Sequence, residues 1–350
     1  MIKETPIVNL ITLRMRHHAR SSGYDRLCDY VGANVISTVN DWSLDKRILM
    51  RLLRFATERS GQKWYHRESL YSEVRAARQW LRGREQIFHF LYGENSYRYL
   101  GNLKALGRQN AIICSYHTPP EKFDVVVNSG HHLKKIDAVV VVSTMQLEHF
   151  SSVFGEERVN YIPHGIDVEY YSPGEVRVDS DDKVRCLFVG SHLRDLETLA
   201  AAAKILKKVA GNIIFKVVTK KENMHYFSGC HNVEFLCGIE SEDLLGLYRR
   251  SDMFVMPLLE CTANNGLLEA MACGLPIVST NLQGVRDYVN EDCALLAPKA
   301  DVNTLVDIIE GLAGNPVKRK VMSDASRKKS LDFRWELVAK EMNRLYRSVG

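Results

Sequence analysis

In the C-terminal half of the chain, short apolar runs alternate with stretches whose apolar positions recur at a helical period. The runs are CLFVG (186–190), NIIFKVVT (212–219), VEFLCG (233–238), MFVMPLL (253–259), PIVSTN (276–281) and ALLAP (294–298). Between them lie DLETLAAAAKILKKV, SEDLLGLYRRS, GLLEAMACG and, after the last, DVNTLVDIIEGLAG. Runs that stay apolar on consecutive positions suit strands covered on both faces, and helices of about 10–15 residues between them are the crossovers of a parallel sheet. The pattern predicts a doubly wound α/β domain whose ligands bind beyond the carboxyl ends of its strands. Ser241, followed by acidic residues, and Asp301, before a periodic apolar run, are candidate helix caps.

The N-terminal half repeats the theme with candidate strands at 7–13, 34–38, 86–92, 111–116, 137–143 and 159–162. A helical insert at about 42–85, rich in Arg and aromatics, separates the second from the third. The segment PHGIDVEYYSPGE (163–175) reads as a linker. The division is an N-terminal domain over 1–165, a second domain over 166–332, and a last helix over 333–350. A length of 350 residues suits two such cores. Two doubly wound domains would leave a cleft for a substrate with two ends.

Charge and cysteine content narrow the class. The net charge of +5 is uneven: residues 1–165 carry 23 Lys and Arg against 16 Asp and Glu, and residues 46–108 carry 14 against 5. The eight cysteines are scattered, with no C-x-x-C pair, and read as buried, inert thiols. No apolar run approaches the ~18–20 residues that span a bilayer, and the N-terminus lacks a signal-peptide pattern. A cytoplasmic protein is expected, with peripheral attachment at the inner membrane face left open.

The most informative stretch is PLLECTANNGLLEAMACGLPIVSTNLQGVRDYV (257–289). A strand ends at Leu258–Leu259, a polar loop follows, and a helix begins near Gly266–Leu267. Amides at such a helix start are unpaired and carry partial positive charge, which suits a pyrophosphate. Thr262, Asn264 and Asn265 add donors for phosphate or sugar hydroxyls. Glu269, placed in the first turn, can accept two hydrogen bonds from a ribose diol. The alternative is that these residues only cap the helix and complement its dipole.

This stretch resembles the donor-binding segment of family 4 retaining glycosyltransferases of the GT-B fold, in which two Glu separated by seven residues precede an A-M-A-C-G-x-P-V-V run. The second Glu maps on Glu269, implying a ribose contact. The first maps on Cys261, with Glu260 one position early, so either Glu260 or the T-A-N-N loop (Thr262, Ala263, Asn264, Asn265) with Gly266 would hold the donor sugar. IPHGIDVEYYSP (162–173) resembles the family's inter-domain element. VEFLCGIESEDLLGLYRRSDMFVMP (233–257) resembles its base-binding strand and helix, implying a nucleobase contact by the backbone of Cys237, Gly238 and Ile239. The FRWELVAKEMNRLYRS segment resembles the terminal helix that crosses back to the first domain.

A departing pyrophosphate needs positive charge. The resemblance places an Arg and a Lys after the first strand of the second domain, where FVGSHLRDLETL offers Arg194 and has Ser191 at the usual Arg position. Arg194 is the candidate phosphate clamp, against a surface arginine paired with Asp195; Lys220 and Lys221 are substitutes. In HHARSSGYDRL (17–27), Gly23 permits close backbone approach and Ser22 can cap a helix or donate to phosphate, similar to the family's glycine loop. His117, in CSYHTPP, matches a family histidine near the donor sugar, against the alternative that it finishes a turn. His164 and Asp167 read as structural.

With no P-loop, nucleophilic triad or Asp-x-Asp suited to a metal diphosphate, no cofactor and no metal are expected. The nucleotide-sugar itself is the co-substrate. The basic insert (46–85) could lie on an anionic membrane, suiting a lipid-linked acceptor, or be the solvated face of ordinary helices; no motif supports nucleic acid. The reading is a retaining, metal-independent glycosyltransferase acting on a glycan, lipid-linked or small-molecule acceptor. Rivals are another sugar-nucleotide enzyme such as an epimerase, and a degenerate nucleotide-sugar-binding subunit. The sequence does not choose among UDP, GDP and ADP.

Overall fold

Each apolar run forms a strand. The first six are β1 (Ile7–Thr12), β2 (Asn34–Ser37), β3 (Gln86–Phe90), β4 (Ala111–Tyr116), β5 (Ala138–Val141) and β6 (Val159–Tyr161). The next six are β7 (Val184–Val189), β8 (Ile213–Val218), β9 (Val233–Leu236), β10 (Met253–Met256), β11 (Ile277–Thr280) and β12 (Ala294–Ala297). The computed structural model describes residues 6–13, 22–37, 57–58, 60–128, 130–175 and 182–350. They form two units: the described residues up to His164 with Trp335–Gly350, and Gly165–Arg334.

In the first unit the strand order is β2-β1-β3-β4-β5-β6, with every pair parallel. Successive strands step outward on both sides of β1, so the topology reverses between β1 and β3, the kind of point at which the loops of a doubly wound sheet diverge. All residues of β3 and β4 are buried, which is why neither run alternates. The helix Arg67–Arg82 covers this sheet by burying Leu70, Glu73, Ala76 and Trp80, three or four positions apart. Trp80 is fully buried, its ring 5.1 Å from that of Phe88. The apolar side of this helix is used by its own core, and Arg67, Arg78 and Arg82 face solvent. Residues 46–56 of the basic insert lie outside the described residues.

Glu73 explains how the helix is tied down. Its Oε2 accepts the Tyr65 hydroxyl at 2.6 Å, and its Oε1 accepts the amides of Arg98, Tyr99 and Leu100 at 2.9, 2.5 and 2.7 Å. Those amides open the 3-10 helix Leu100–Leu106, so a buried carboxylate supplies the cap that the local sequence lacks.

The terminal helix Trp335–Val349 belongs to the first unit and buries Trp335, Val338, Ala339, Met342, Leu345 and Tyr346. It begins two residues later than the sequence pattern suggests. Leu331–Phe333 forms a 3-10 turn instead, and the Phe333 carbonyl accepts the Ile166 amide at 2.8 Å within the second unit. The Tyr346 hydroxyl lies 2.7 Å from His89 Nδ1, and His89 Nε2 lies 2.8 Å from Ser115 Oγ.

In the second unit the order is β12-β11-β10-β7-β8-β9, again all parallel, with the reversal between β7 and β10. Asp301 caps the helix Val302–Ala313 by accepting the Thr304 amide at 3.0 Å. Ser241 does not cap. It is the first residue of the helix Ser241–Arg249, and Glu240 holds the cap position without a side-chain bond. Cys114, Cys186, Cys230, Cys261, Cys273 and Cys293 are buried, whereas Cys237 is exposed and Cys28 half-buried. Among the described residues no helix is long and apolar enough to cross a membrane.

Two stability predictions follow from packing. Burial pushes the His89 imidazole down to about 3, and burial beside Arg98 does the same for His132. The folded state refuses protons that the unfolded chain takes up below about pH 6.5, so stability present above that pH is lost as pH falls toward 3. Each histidine contributes a slope of about 1.4 kcal/mol per pH unit in that window. Denaturant melts at stepped pH between 7.5 and 5 should show it, and His89→Asn should reduce it by about one proton. The second prediction concerns Gly284, where an added Cβ would sit 1.9 Å from the Cys261 carbonyl oxygen and 2.8 Å from that of Thr262. Gly284→Ala should destabilise by roughly 1–3 kcal/mol through overpacking. Gly311→Ala, with nothing within 4 Å in the helix Val302–Ala313, should stabilise by about 0.5–1 kcal/mol.

Candidate functional site

The reversal between β7 and β10 is where the second unit gathers its unusual groups. After β7, Gly190 turns with φ 105°, and a Cβ there would come 2.7 Å from the Arg194 guanidinium. The loops after β7 and β10 are stitched together: the Leu259 amide donates to the Leu193 carbonyl and the Asp195 amide to the Pro257 carbonyl, both at 3.0 Å. Between these bonds Arg194 and Leu258 form an antiparallel bridge. The Arg194 side chain donates to the carbonyls of Val189 (3.1 Å) and His192 (3.0 Å) and to Asn264 Oδ1 (3.1 Å). Asp195 turns away from it. Its carboxylate takes the Thr198 amide at 3.0 Å and hydroxyl at 2.8 Å, capping the helix Leu196–Val209. The surface Arg194–Asp195 pair is therefore replaced by an arginine folded onto the β10 loop. Burial lowers the Arg194 pKa from its ordinary value, while Cys261, Tyr248 and Glu269 oppose the shift.

After β10 the helix Asn265–Ala272 begins with Asn264 as its cap, one residue earlier than the sequence pattern suggests. Asn264 Oδ1 accepts the Leu267 amide at 3.2 Å as well as the Arg194 guanidinium. The earliest amides of a helix have no intrahelical carbonyl to reach and point outward from its start. Thr262, Asn264 and Gly266 are buried, and Glu260, Ala263 and Asn265 half-buried. Cys261 is buried, and burial pushes its thiol up to about 12, so the group standing at the family's first Glu is an uncharged thiol. Glu269 is the fifth helical residue, one turn deeper than the first-turn placement read from the sequence. It is only 5% exposed, and its Oε2 accepts the Tyr248 hydroxyl at 2.8 Å.

Cys237 and Gly238 are exposed, and Ile239 half-buried, at the carboxyl end of β9. Because all strands are parallel, these residues open on the same sheet edge as Arg194 and the 260–266 loop. Three strand spacings separate β9 from β10, roughly 14 Å. Lys220 and Lys221, after β8, are exposed, and Lys220 lies 3.7 Å from Glu222.

In the first unit, residues 14–21 lie outside the described residues, so the 17–27 segment is seen only from Ser22 onward. Ser22 is buried and does not cap; Gly23, at φ 101°, holds the cap position of a 3-10 helix, Tyr24–Asp29. His117 follows β4 and is more than the end of a turn. Gln146 Nε2 donates to the carbonyls of Tyr116 and Thr118, both at 3.0 Å, clamping the backbone on either side of it. Its amide donates to Glu94 Oε1 at 3.1 Å, and its Nδ1 lies 3.5 Å from the same oxygen. Its ring meets Tyr24 edge-on at 4.6 Å and Tyr92 at 4.9 Å. His164 is buried against Tyr24 and Trp335, and the Asp167 carboxylate accepts the amides of Glu169 and Tyr170, so both act in packing and turn formation.

Sequence reading missed Tyr248, Glu94 and Gly284. Each acts on a partner in another element, and no local pattern marks such a contact. Among the described residues no group of three or more His, Cys, Asp or Glu side chains could hold a metal ion.

Comparison with known proteins places this geometry. Residues 183–315 match the family model described as glycosyl transferases group 1. The chain is 23% identical over 283 residues to a GDP-mannose-dependent monoacylated alpha-(1-6)-phosphatidylinositol monomannoside mannosyltransferase of Corynebacterium glutamicum, covering 71% of this chain and 72% of that protein. It is 25% identical over 228 residues to an MMP alpha-(1->4)-mannosyltransferase of Mycolicibacterium hassiacum, covering 61% of this chain and 54% of that one. Among solved structures, Anabaena HepE in complex with UDP and glucose superposes with a TM-score of 0.68 at 12% identity, covering 97% of this chain and 99% of that one. With two parallel six-stranded units and a reversal point after β7 and β10, the chain has the GT-B fold, and its residues 183–315 are similar to the group 1 glycosyl transferases.

Proposed function

We propose that this chain transfers a hexosyl group from a nucleoside diphosphate sugar, with retention of configuration and without a metal, to a lipid-linked, glycan or small-molecule hydroxyl. The observation that carries the reading is the arginine folded onto the start of the Asn265–Ala272 helix through Asn264. When the bond from the sugar to the diphosphate breaks, the bonding pair leaves with the diphosphate. A cation and outward amides already in place would stabilise that charge without reorganising. Fixed groups of this kind do the work a divalent ion does elsewhere. Glu269 is assigned to the ribose, and the backbone at Cys237–Ile239 to the base. The 260–266 loop, with Glu260 standing in for the displaced family Glu, is assigned to the donor sugar. Ser22, Gly23 and His117 of the first unit are assigned to the reacting end, His117 holding a sugar hydroxyl. Mannose is the first sugar to try, since both relatives above are named mannosyltransferases.

Purified protein should release nucleoside diphosphate from one member of a panel of UDP-, GDP- and ADP-hexoses only when acceptor is present, and EDTA should leave the rate unchanged. Arg194→Ala should lower kcat about 10²–10³-fold. Turnover without acceptor to an epimerised donor, or donor binding that never leads to transfer, would overturn the reading. A lipid-linked acceptor is favoured by the excess of basic residues in 46–108. Co-sedimentation with vesicles containing anionic lipid should then be strong at low salt and weak at high salt; absence from the vesicle pellet at both would remove the membrane from the proposal.

A further inference from the structure

A buried polar contact in the second unit joins two helices that flank β10. Tyr248 lies on Ser241–Arg249 and Glu269 on Asn265–Ala272, and both side chains are buried, at 0% and 5% exposure. The hydroxyl reaches Glu269 Oε2 at 2.8 Å. The Tyr248 ring is fully buried, with Tyr171 edge-on to it at 6.2 Å and Phe254 tilted against it at 6.0 Å. Its hydroxyl also passes the first turn of the neighbouring helix closely, since a Cβ on Gly266 would lie 3.5 Å from it. The phenol is thus held at the point where that helix begins. Burial and the nearby carboxylate push its pKa well above the usual tyrosine range, so it donates and never accepts in this pair.

A carboxylate that is to take a vicinal diol must present its oxygens in one plane. A buried carboxylate without a fixed donor would protonate or swing. We propose that Tyr248 is a positioning residue for the nucleotide end of the donor, its hydroxyl fixing the Glu269 carboxylate in the orientation that recognises a ribose. The inference rests on the assignment of Glu269 to the ribose and adds the residue through which that recognition is set. A site built around hydroxyl groups discriminates strongly against an analogue lacking one, because its buried polar atoms are then left unmatched.

The test uses the full chain, calorimetric titration, and two probes: whichever of UDP, GDP or ADP binds the wild type most tightly, and its 2′-deoxy counterpart. Tyr248→Phe removes one oxygen and keeps the ring. Its Kd for the ribonucleotide should rise about 10- to 100-fold, its Kd for the deoxy form should stay near the wild-type value, and the preference of the wild type should collapse. Glu269→Gln and the double variant close the cycle. If Tyr248 acts through Glu269, the double variant should bind like Glu269→Gln alone.

Equal weakening toward both nucleotides, or fully additive effects in the cycle, would mean a purely structural role and overturn the proposal. Unchanged binding by Tyr248→Phe would also overturn it while leaving the donor site intact, provided Glu269→Gln still weakens the ribonucleotide. Ordinary binding by Glu269→Gln would instead remove the ribose assignment, and the inference with it. Should Tyr248→Phe fail to fold, Tyr248→Met, which likewise removes the hydroxyl donated to Glu269, takes its place, and a ribose-over-deoxyribose preference equal to that of the wild type overturns the proposal.

Discussion

One carboxamide oxygen organises the second unit's candidate site. Asn264 Oδ1 takes the Leu267 amide, which starts the Asn265–Ala272 helix, and the Arg194 guanidinium, which comes from the loop after β7. A helix start needs a cap, and an arginine drawn onto a protein surface needs acceptors in fixed directions. Satisfying both at one atom sets a cation beside the outward amides of the helix. The backbone pairing of 193–195 with 257–259 holds the two loops in register, so the distance between charge and amides does not depend on side-chain flexibility alone.

The first unit solves a different problem, the burial of polar groups near its own strand ends. Tyr346, His89, Ser115 and Tyr24 form a continuous chain of hydrogen bonds, the last between the Ser115 and Tyr24 hydroxyls at 3.3 Å. It links the terminal helix to β3, β4 and the Tyr24–Asp29 turn, and its histidine is kept neutral by burial. His117 sits above the Tyr24 ring and shares the Glu94 carboxylate with its own backbone amide. The function proposed for His117 therefore leans on a rigid aromatic and hydrogen-bonded bed, and a substitution in that bed would act by moving the imidazole.

Much of this was legible beforehand, for physical reasons that differ from residue to residue. Strands buried on both faces are largely apolar, so runs such as AVVV and MFVM announced themselves. Arg194 and the 260–266 loop were legible because a strand end followed by a helix start is a local event. Ser241 was misjudged as a cap because a serine before acidic residues looks the same whether it precedes the helix or opens it.

The order of residues along the chain determined by itself the strands, the parallel class of sheet and the loops rich in donors, since each depends on neighbours a few positions apart. Tertiary structure alone decided which distant groups meet. Arg194 and Asn264 are 70 positions apart, Glu94 and His117 are 23, and Tyr248 and Glu269 are 21. The first pair meets because β10 lies beside β7 in the sheet, a consequence of strand order. Strand order is set by the packing of whole faces, and no local spacing of residue types encodes it.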